Sequence, residues 1–214
     1  MRPIIFARIA NMKYYKGITE KDQPVNGGSF VNETGRAHEA YNFYAIPCEK
    51  DGGEYCLGFV RLAATSSQVD SQLHIERVNG CQNMNKEELI EGVTVVWCSK
   101  APGSQNMRVV GFYKNATVYR NTKRVDFDDD YQEFNFIARK EDCVLLPYQE
   151  RHGNNVWYIP SSQKNQASFG FGRSNIWYAS GCCDDYKQKE FVEKMLVNIN
   201  SYEGENWIEK GVIA

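Results

Sequence analysis

The sequence predicts an α+β fold, in which a β-sheet carries most of the chain and a few helices pack against it. Three observations support this prediction. Short runs rich in β-branched and aromatic residues recur between turn-forming clusters, which is the pattern of strands. Two such runs within Val93 to Arg120 predict a hairpin with a rather long loop. One segment, Tyr186 to Asn200, repeats apolar residues at helical spacing.

The hairpin is the centre of the predicted sheet. Its first strand contains Trp97, a turn-forming segment follows, and its second strand runs over Arg108 to Lys114 with Tyr113 near its end. Gly111 interrupts that second strand. A glycine inside a strand often marks a bulge or the close approach of another backbone or a ligand. We therefore expect the hairpin to frame a pocket.

An aromatic loop follows the first predicted strand. That strand, Pro3 to Ala10, is mostly apolar on both faces, which predicts a central position in the sheet. Beyond it, Tyr14 and Tyr15 stand beside Lys13 and Lys16. Adjacent tyrosines at the end of a strand either stack on a planar ligand or pack on the domain itself, and the sequence leaves both roles open.

Further elements follow on both sides of the hairpin. Residues 37–46 alternate aromatic and polar side chains, which predicts a strand whose polar face carries Asn42. The amide of Asn42 can pair with the edge of a base or bond the nearby backbone. Tyr55 to Leu62 predicts a strand that forms a hairpin with it, and Asn85 to Ile90 predicts one or two helical turns.

The second half of the chain supplies three shorter strands and the long helix. The strands are predicted over Glu133 to Arg139, Cys143 to Pro147 and Val156 to Ile159. Asp184 or Asp185 is the expected N-cap of the helix, whose apolar stripe should pack across the sheet. We expect one domain over residues 1–200. Residues 201–214 form a C-terminal tail or the start of a linker, whose Trp207 and Ile208 either dock or lead onward.

Composition limits the possible functions. The chain has 214 residues, 42% of them hydrophobic, and a formal net charge of −2, which argues against a large surface that follows phosphates. Its seven cysteines include no CxxC pair, and the N-terminus has no secretory signal, so we expect reduced thiols and a cytoplasmic location. The sequence contains no run of about 18 apolar residues, which is the length that would predict a membrane span.

The sequence contains no recognised catalytic motif. It has no GxSxG, and its three histidines are too far apart to form an HNH centre or a zinc site. Four aspartates of one loop are expected to be solvated and not metal-bound, namely Asp126, Asp128, Asp129 and Asp130. We therefore expect no metal and no cofactor, and whether the protein is an enzyme stays open.

Several short blocks of sequence resemble one known superfamily. They are Ile4 to Tyr15, Gly27 to Val31, His38-Glu39 through Asn42-Phe43, Val96-Trp97, Val109 to Arg120 and Gly172 to Tyr178. A hairpin whose second strand contains V-V-G-F-Y resembles the PUA-like superfamily, which includes the EVE and YTH domains. The wider pattern is similar to an EVE-like domain found N-terminal to bacterial HNH-type restriction endonucleases directed at modified cytosine.

The resemblance implies a strongly curved mixed β-sheet or barrel with a few packed helices, and it also implies a function and a set of site residues. A nucleotide is taken out of the stack and its modified base is held between aromatic side chains, whose stacking, at about 1–3 kcal/mol per base, offsets the cost of flipping. The implied walls are Tyr14, Tyr15, Trp97 and Tyr113, the implied edge hydrogen bonds come from Asn42 and Ser99, and the implied phosphate contacts are Lys16, Lys114, Asn115 and Arg120.

The expected partners are DNA that carries a modified base, such as 5-methylcytosine, and a nuclease domain or subunit of a modification-dependent restriction system. No HNH motif follows in this chain, so cleavage is not assigned to it. Two alternatives stay open. A protein-interaction module with an aromatic surface would suit the mild acidity better. A small-molecule enzyme would need a perturbed acid, cysteine or histidine near His38, Glu39 and Cys98.

Overall fold

A mixed β-sheet dominates the computed structural model, which describes residues 2–25, 38–62, 72–104, 106–127, 130–153, 155–162 and 167–211. The strands within these ranges are β1 (Ile4–Arg8), β2 (Ala45–Pro47), β3 (Glu54–Gly58), β4 (Leu89–Lys100), β5 (Met107–Asp126), β6 (Tyr131–Arg139), β7 (Cys143–Leu145), β8 (Tyr158–Ile159) and β9 (Ile176–Trp177). The α-helices are α1 (Tyr148–Gly153) and α2 (Tyr186–Asn200). The predicted α+β class is confirmed.

The sheet has the strand order β2-β3-β6-β5-β4-β1-β9, and β7 and β8 pair with β5 beside this path. β1 runs parallel to β4 and antiparallel to β9, and the remaining pairs are antiparallel. The order ends at β2 and at β9, which do not pair with each other in the described part of the chain. The sheet is therefore open and is not the closed barrel that the sequence also allowed.

The predicted hairpin exists as β4 and β5, and Gly111 has a clear role in it. The first half of β5 pairs with β4 on one side and with β7 and β8 on the other, and its second half pairs with β6. A Cβ atom on Gly111 would lie 2.4 Å from the carbonyl oxygen of Val144 and 2.5 Å from the ring of Phe43. The close approach predicted at this glycine is therefore made by the protein's own backbone and core.

Two apolar clusters hold the sheet. Along β1 the side chains alternate between them, with Ile5 and Ala7 in the first core cluster and Ile4 and Phe6 in the second. Helix α2 contributes its buried apolar stripe, Val192, Met195, Leu196 and Ile199, to the second cluster. The buried position of β1 and the extent of the helix agree with the predictions. In the described ranges, no helix combines the length and apolarity needed to cross a bilayer.

Two local predictions are wrong, and in both segments hydrogen bonds from distant residues help to set the backbone. Within residues 38–46, a 3-10 turn over His38–Tyr41 precedes the short β2. This segment is hydrogen-bonded to the aromatic loop, since the Gly17 N–H donates to the Ala40 carbonyl and the Phe43 N–H donates to the Tyr15 carbonyl. The predicted helical turns near residue 85 are absent, since the Arg120 side chain donates to the carbonyls of Met84 and Glu87.

The segment after α2 docks onto the sheet. The Asn206 side chain accepts from the backbone N–H of Leu145 at 3.0 Å and donates to the Cys143 carbonyl at 2.9 Å, so it extends the edge of β7. Trp207 and Ile208 are buried in the first core cluster. Of the two roles considered for these residues, docking is the one observed.

Candidate nucleic-acid interface

Three of the four predicted pocket walls belong to the first core cluster. Trp97, Tyr113 and Tyr15 are each 0% exposed. Trp97 packs edge-to-face on Tyr113 and on Phe136, with ring centroids 5.3 Å and 5.2 Å away, and Tyr113 packs on Phe43 at 5.6 Å. These contacts occupy the ring surfaces that a base would need. The structure therefore gives these three residues the alternative role, which is core packing.

Trp97 is confined further by its neighbours. A Cβ atom on Gly58 would lie 2.4 Å from the Trp97 Cζ2, so β3 passes directly against the indole. The indole Nε1 is buried and has no hydrogen-bond partner among the described residues. Truncating this side chain would remove core packing, so the loss of binding by such a variant would not identify a binding pocket.

The two residues expected to bond the base edge bond the protein instead. The Asn42 side chain donates to the Phe59 carbonyl at 3.0 Å and accepts from the Phe59 N–H at 2.8 Å, which is the backbone role considered for it. Ser99 is buried and donates to the Asn11 side-chain oxygen at 3.0 Å. Both side chains therefore have hydrogen-bond partners within the protein.

The phosphate contacts expected on β5 are dispersed. Arg120 is buried, and its Nη1 lies 2.7 Å from a carboxylate oxygen of Glu76, so it joins two segments of the fold. Asn115 is exposed, has a left-handed backbone with φ of 50°, and donates to Asp142 at 3.2 Å. The half-buried Lys114 places its ammonium 5.6 Å from the ring centroid of Phe112. Arg120 is thus a structural residue.

Tyr14 and Lys16 do come together, in a surface cleft of about 400 Å³. We call it the lysine cleft. It is lined by Lys13, Tyr14, Lys16, Gly17, Thr19, Glu20, Lys21 and Asp22. Its volume is within the usual range for small-ligand sites. None of its three ammonium groups forms an ion pair with the part of the chain that the structure describes.

The loop that forms the lysine cleft is fixed from its two sides. On one side, the Asp22 carboxylate accepts from the backbone N–H groups of Lys13 at 2.6 Å and Tyr14 at 2.7 Å. On the other, the buried guanidinium of Arg151 donates to the carbonyls of Met12 and Lys13, both at 2.8 Å. Glu20 and Asp22 also line the cleft, so two carboxyl side chains stand beside its three lysines.

Tyr15 supports the same loop from within the core. Its backbone is left-handed, with φ of 53°, which is costly for a residue with a side chain. Its hydroxyl donates to the Ala10 carbonyl at 2.8 Å and accepts from the Met12 N–H at 3.2 Å. Adjacent tyrosines thus have opposite roles, since Tyr15 anchors the loop and Tyr14 forms part of the cleft.

The environment of Tyr14 and Lys16 is set by the docked C-terminal segment. The ring of Tyr14 stacks on that of Trp207 with centroids 5.7 Å apart, and the ammonium of Lys13 lies 4.9 Å from the Tyr14 centroid. Burial lowers the pKa of Lys16, and the nearby carboxylate of Glu209 partly opposes that shift. Lys16 is therefore a partly desolvated cation, which strengthens its attraction to an anion.

The residues named for an enzyme alternative do not form a nucleophile–base pair. Burial raises the pKa of the Cys98 thiol well above its usual value, and the thiol points to the Val96 carbonyl. Burial also raises the pKa of Glu39 to about 7, while its Oε1 accepts from the Ala10 N–H at 3.1 Å. His38 lies between the rings of Phe59 and Tyr131. Glu39 is thus a perturbed acid without a neighbouring nucleophile among these residues.

Some predicted features fall outside the described residues, and some site residues had no signal in the sequence. Gly27 to Val31, Asp128 and Asp129 lie outside the described ranges. In the described part, no group of three His, Cys, Asp or Glu side chains could hold a metal ion. The sequence shows Lys13 next to the two tyrosines, so its place in the site could have been predicted. Arg151 lies 138 residues from the Lys13 carbonyl that it bonds, and no sequence pattern near Arg151 indicates this contact.

Comparison with protein-family models, curated proteins and solved structures found no significant match for this chain.

Proposed function

We propose that the protein is a nucleic-acid reader that holds an extruded, modified base, with modified cytosine in DNA as the first candidate. The observation that supports this proposal is the lysine cleft, where Tyr14 shares one loop, fixed by hydrogen bonds, with three lysines that form no ion pair with the described residues. Lysines of this kind attract phosphates, and a base would stack on the side of the Tyr14 ring that Trp207 does not cover, which contributes about 1–3 kcal/mol. The base is placed here and not between Trp97 and Tyr113, which the core encloses.

The same proposal includes the PUA-like sheet type and a nuclease partner, both of which rest on the resemblance in sequence. Recognition by this chain would direct cleavage by a nuclease domain or subunit. The small net charge of −2 suits a local footprint of few phosphates. If the three lysines each neutralise one phosphate, the slope of log K against log salt concentration should be about −3.

The test is binding of the full chain to short duplexes that contain cytosine, 5-methylcytosine, 5-hydroxymethylcytosine or N6-methyladenine, measured by fluorescence anisotropy at low salt. One modified duplex should bind preferentially. The double variant Lys13→Gln, Lys21→Gln should make the salt slope shallower by about 2, since each lysine contributes about 1. Tyr14→Leu should weaken binding by at least about fivefold through lost stacking, and Tyr14→Phe should retain it.

The control is Lys86→Gln, Lys189→Gln, which removes the same charge from two exposed lysines outside the cleft. It should bind like the wild type. If all four duplexes bind equally, or none binds, the reader proposal fails and the protein-interaction module becomes the better hypothesis. If the control loses as much affinity as the cleft variant, the cleft is not the binding site.

A further inference from the structure

Arg8, at the end of β1, is a partly buried cation whose hydrogen bonds all go to neutral groups. Its Nε and Nη2 donate to the Asn175 side-chain oxygen at 3.0 Å and 2.9 Å, and Nη2 also donates to the Arg173 carbonyl at 3.0 Å. The guanidinium lies 5.9 Å from the ring centroid of Phe171. These contacts fix the plane of the guanidinium and leave both hydrogens of Nη1 unused by the described part of the chain.

The charge of Arg8 is not compensated by a carboxylate. Within the described residues Arg8 forms no ion pair, although burial lowers its pKa. Charged groups that are withdrawn from water are normally paired, because desolvation without a counter-charge is costly. The described residues therefore leave a place for an anionic partner at Arg8.

Asn175 is oriented so that its side-chain oxygen, and not its NH2 group, faces Arg8. Its Nδ2 donates to the Arg61 carbonyl at 2.8 Å, which directs Oδ1 toward the guanidinium. Its carbonyl accepts from the Arg8 N–H at 2.7 Å. The Arg61 carbonyl thus accepts from the Asn175 amide and the Arg173 carbonyl accepts from the Arg8 guanidinium, at the edge of the sheet that β9 forms.

We propose that Arg8, positioned by Asn175, forms an oxyanion site at the β9 edge that binds a phosphate group of a nucleic-acid backbone. A fixed guanidinium with two free N–H groups suits a phosphate better than a flexible ammonium does, because its planar fork can donate two parallel hydrogen bonds. The identity of the ligand as nucleic acid rests on the proposed function, whereas the anion site does not. This edge lies outside the set of residues that line the lysine cleft.

The first test is a titration of the wild-type protein with inorganic phosphate, monitored through the NMR signals of the Arg8 Nε–H and the Asn175 side-chain amide. Both signals should shift saturably with phosphate and not with chloride at the same ionic strength. The absence of a phosphate-specific shift would overturn the anion site.

Two variants remove the site in different ways. Arg8→Gln removes the cation. Asn175→Asp puts a carboxylate beside the guanidinium as an internal counter-charge, and it also removes the hydrogen bond to the Arg61 carbonyl. Both should abolish the phosphate response at the remaining reporter group. Arg124→Gln is the control, since Arg124 already pairs with Asp126 near the β5–β6 turn, and it should respond like the wild type. An unchanged response in Arg8→Gln would overturn the proposal.

The salt dependence of oligonucleotide binding separates this site from the proposed function. Arg8→Gln should make the slope of log K against log salt shallower by about 1, and Arg124→Gln should leave it unchanged. If no oligonucleotide binds the wild type while phosphate still shifts the Arg8 signal, the proposed function fails and the anion site stands. If oligonucleotides bind with equal slopes in the wild type and Arg8→Gln, the nucleic-acid role of Arg8 fails and the proposed function stands.

Discussion

At the scale of single residues, Glu39 is a buried carboxyl whose ionised form is unfavourable in the folded protein. Its carboxyl accepts one backbone hydrogen bond, from Ala10, and the favourable influence of Arg61 does not outweigh burial. The pKa is therefore raised from 4.5 to about 7. A carboxyl with a raised pKa favours the folded state only while it is protonated.

We predict that Glu39→Gln makes the free energy of unfolding less sensitive to pH between about 4.5 and 7. Below that window Glu39 is protonated in both the folded and the unfolded state. Within it, the unfolded state loses the proton first, so the wild-type free energy of unfolding falls as pH rises, by at most about 3 kcal/mol above the window. The glutamine side chain of the variant keeps an acceptor for the Ala10 N–H and carries no charge, so the variant should lack this loss.

Urea unfolding at pH 5 and pH 8 measures the effect. The stability of Glu39→Gln relative to the wild type should be greater at pH 8 than at pH 5. Glu193→Gln, which changes an exposed glutamate of α2, is the matched control. If both variants differ from the wild type by the same amount at both pH values, Glu39 does not carry this cost.

At the scale of elements, the loop of the lysine cleft depends on Arg151. The guanidinium is 0% exposed and donates to the carbonyls of Met12, Lys13 and Leu146, so it joins the loop to the end of β7. An arginine can bridge three carbonyls in this way because it has five N–H donors in a fixed plane. The loop is thus positioned by a residue far away in sequence.

We predict that Arg151→Met destabilises the protein by at least about 3 kcal/mol, because it leaves three buried carbonyls without donors. Hydrogen exchange at the Lys13 and Tyr14 amides should accelerate more than exchange in α2. The control is Arg139→Met, which removes an exposed arginine paired with Asp51 and should cost far less, because a solvent-exposed ion pair contributes little to stability. Equal costs for the two variants would show that Arg151 does not hold the loop.

The elements that sequence could predict are those specified by local signals. Helix α2 was found because its apolar spacing is regular and Asp185 caps it by accepting from the N–H groups of Lys187 and Gln188. The β4–β5 hairpin follows from two β-rich runs around a turn. The helical turns expected near residue 85 were wrong because Arg120, remote in sequence, holds the carbonyls of that segment.

At the scale of the whole molecule, the C-terminal segment completes the core and the cleft together. Asn206 bonds the edge of β7, Trp207 stacks on Tyr14, and Glu209 forms an ion pair with Lys140 at 2.6 Å. The expected boundary near residue 200 therefore separates segments that pack on each other.

We predict that Asn206→Ala lowers the free energy of unfolding by about 2 kcal/mol, because the Leu145 N–H and the Cys143 carbonyl each lose a partner. It should also weaken oligonucleotide binding, since Trp207 would no longer fix Tyr14. Both effects are measured on the same preparation, by urea unfolding and by anisotropy. Asn200→Ala, at an exposed position of α2, is the control, and a similar loss there would argue against a specific role of Asn206.

The candidate site was predictable only where its residues are neighbours in sequence. Tyr14 and Lys16 lie in one loop, so their convergence follows from the sequence itself. Whether Trp97 and Tyr113 line a pocket or belong to the core depends on which side chains cover them. Phe43 covers Tyr113, and it comes from the segment that was wrongly predicted to be a strand. No local pattern encodes such a long-range contact.

The position of β1 between β4 and β9 has a consequence for how the protein is made. β1 is synthesised before both of its neighbours, which begin at Leu89 and Ile176, so its buried side chains lack these partners until β9 has been made. Contacts between residues so distant in sequence form slowly and leave apolar strands exposed to aggregation meanwhile. The nascent chain is therefore expected to depend on chaperones until β9 emerges, and the Arg8 edge is assembled only then.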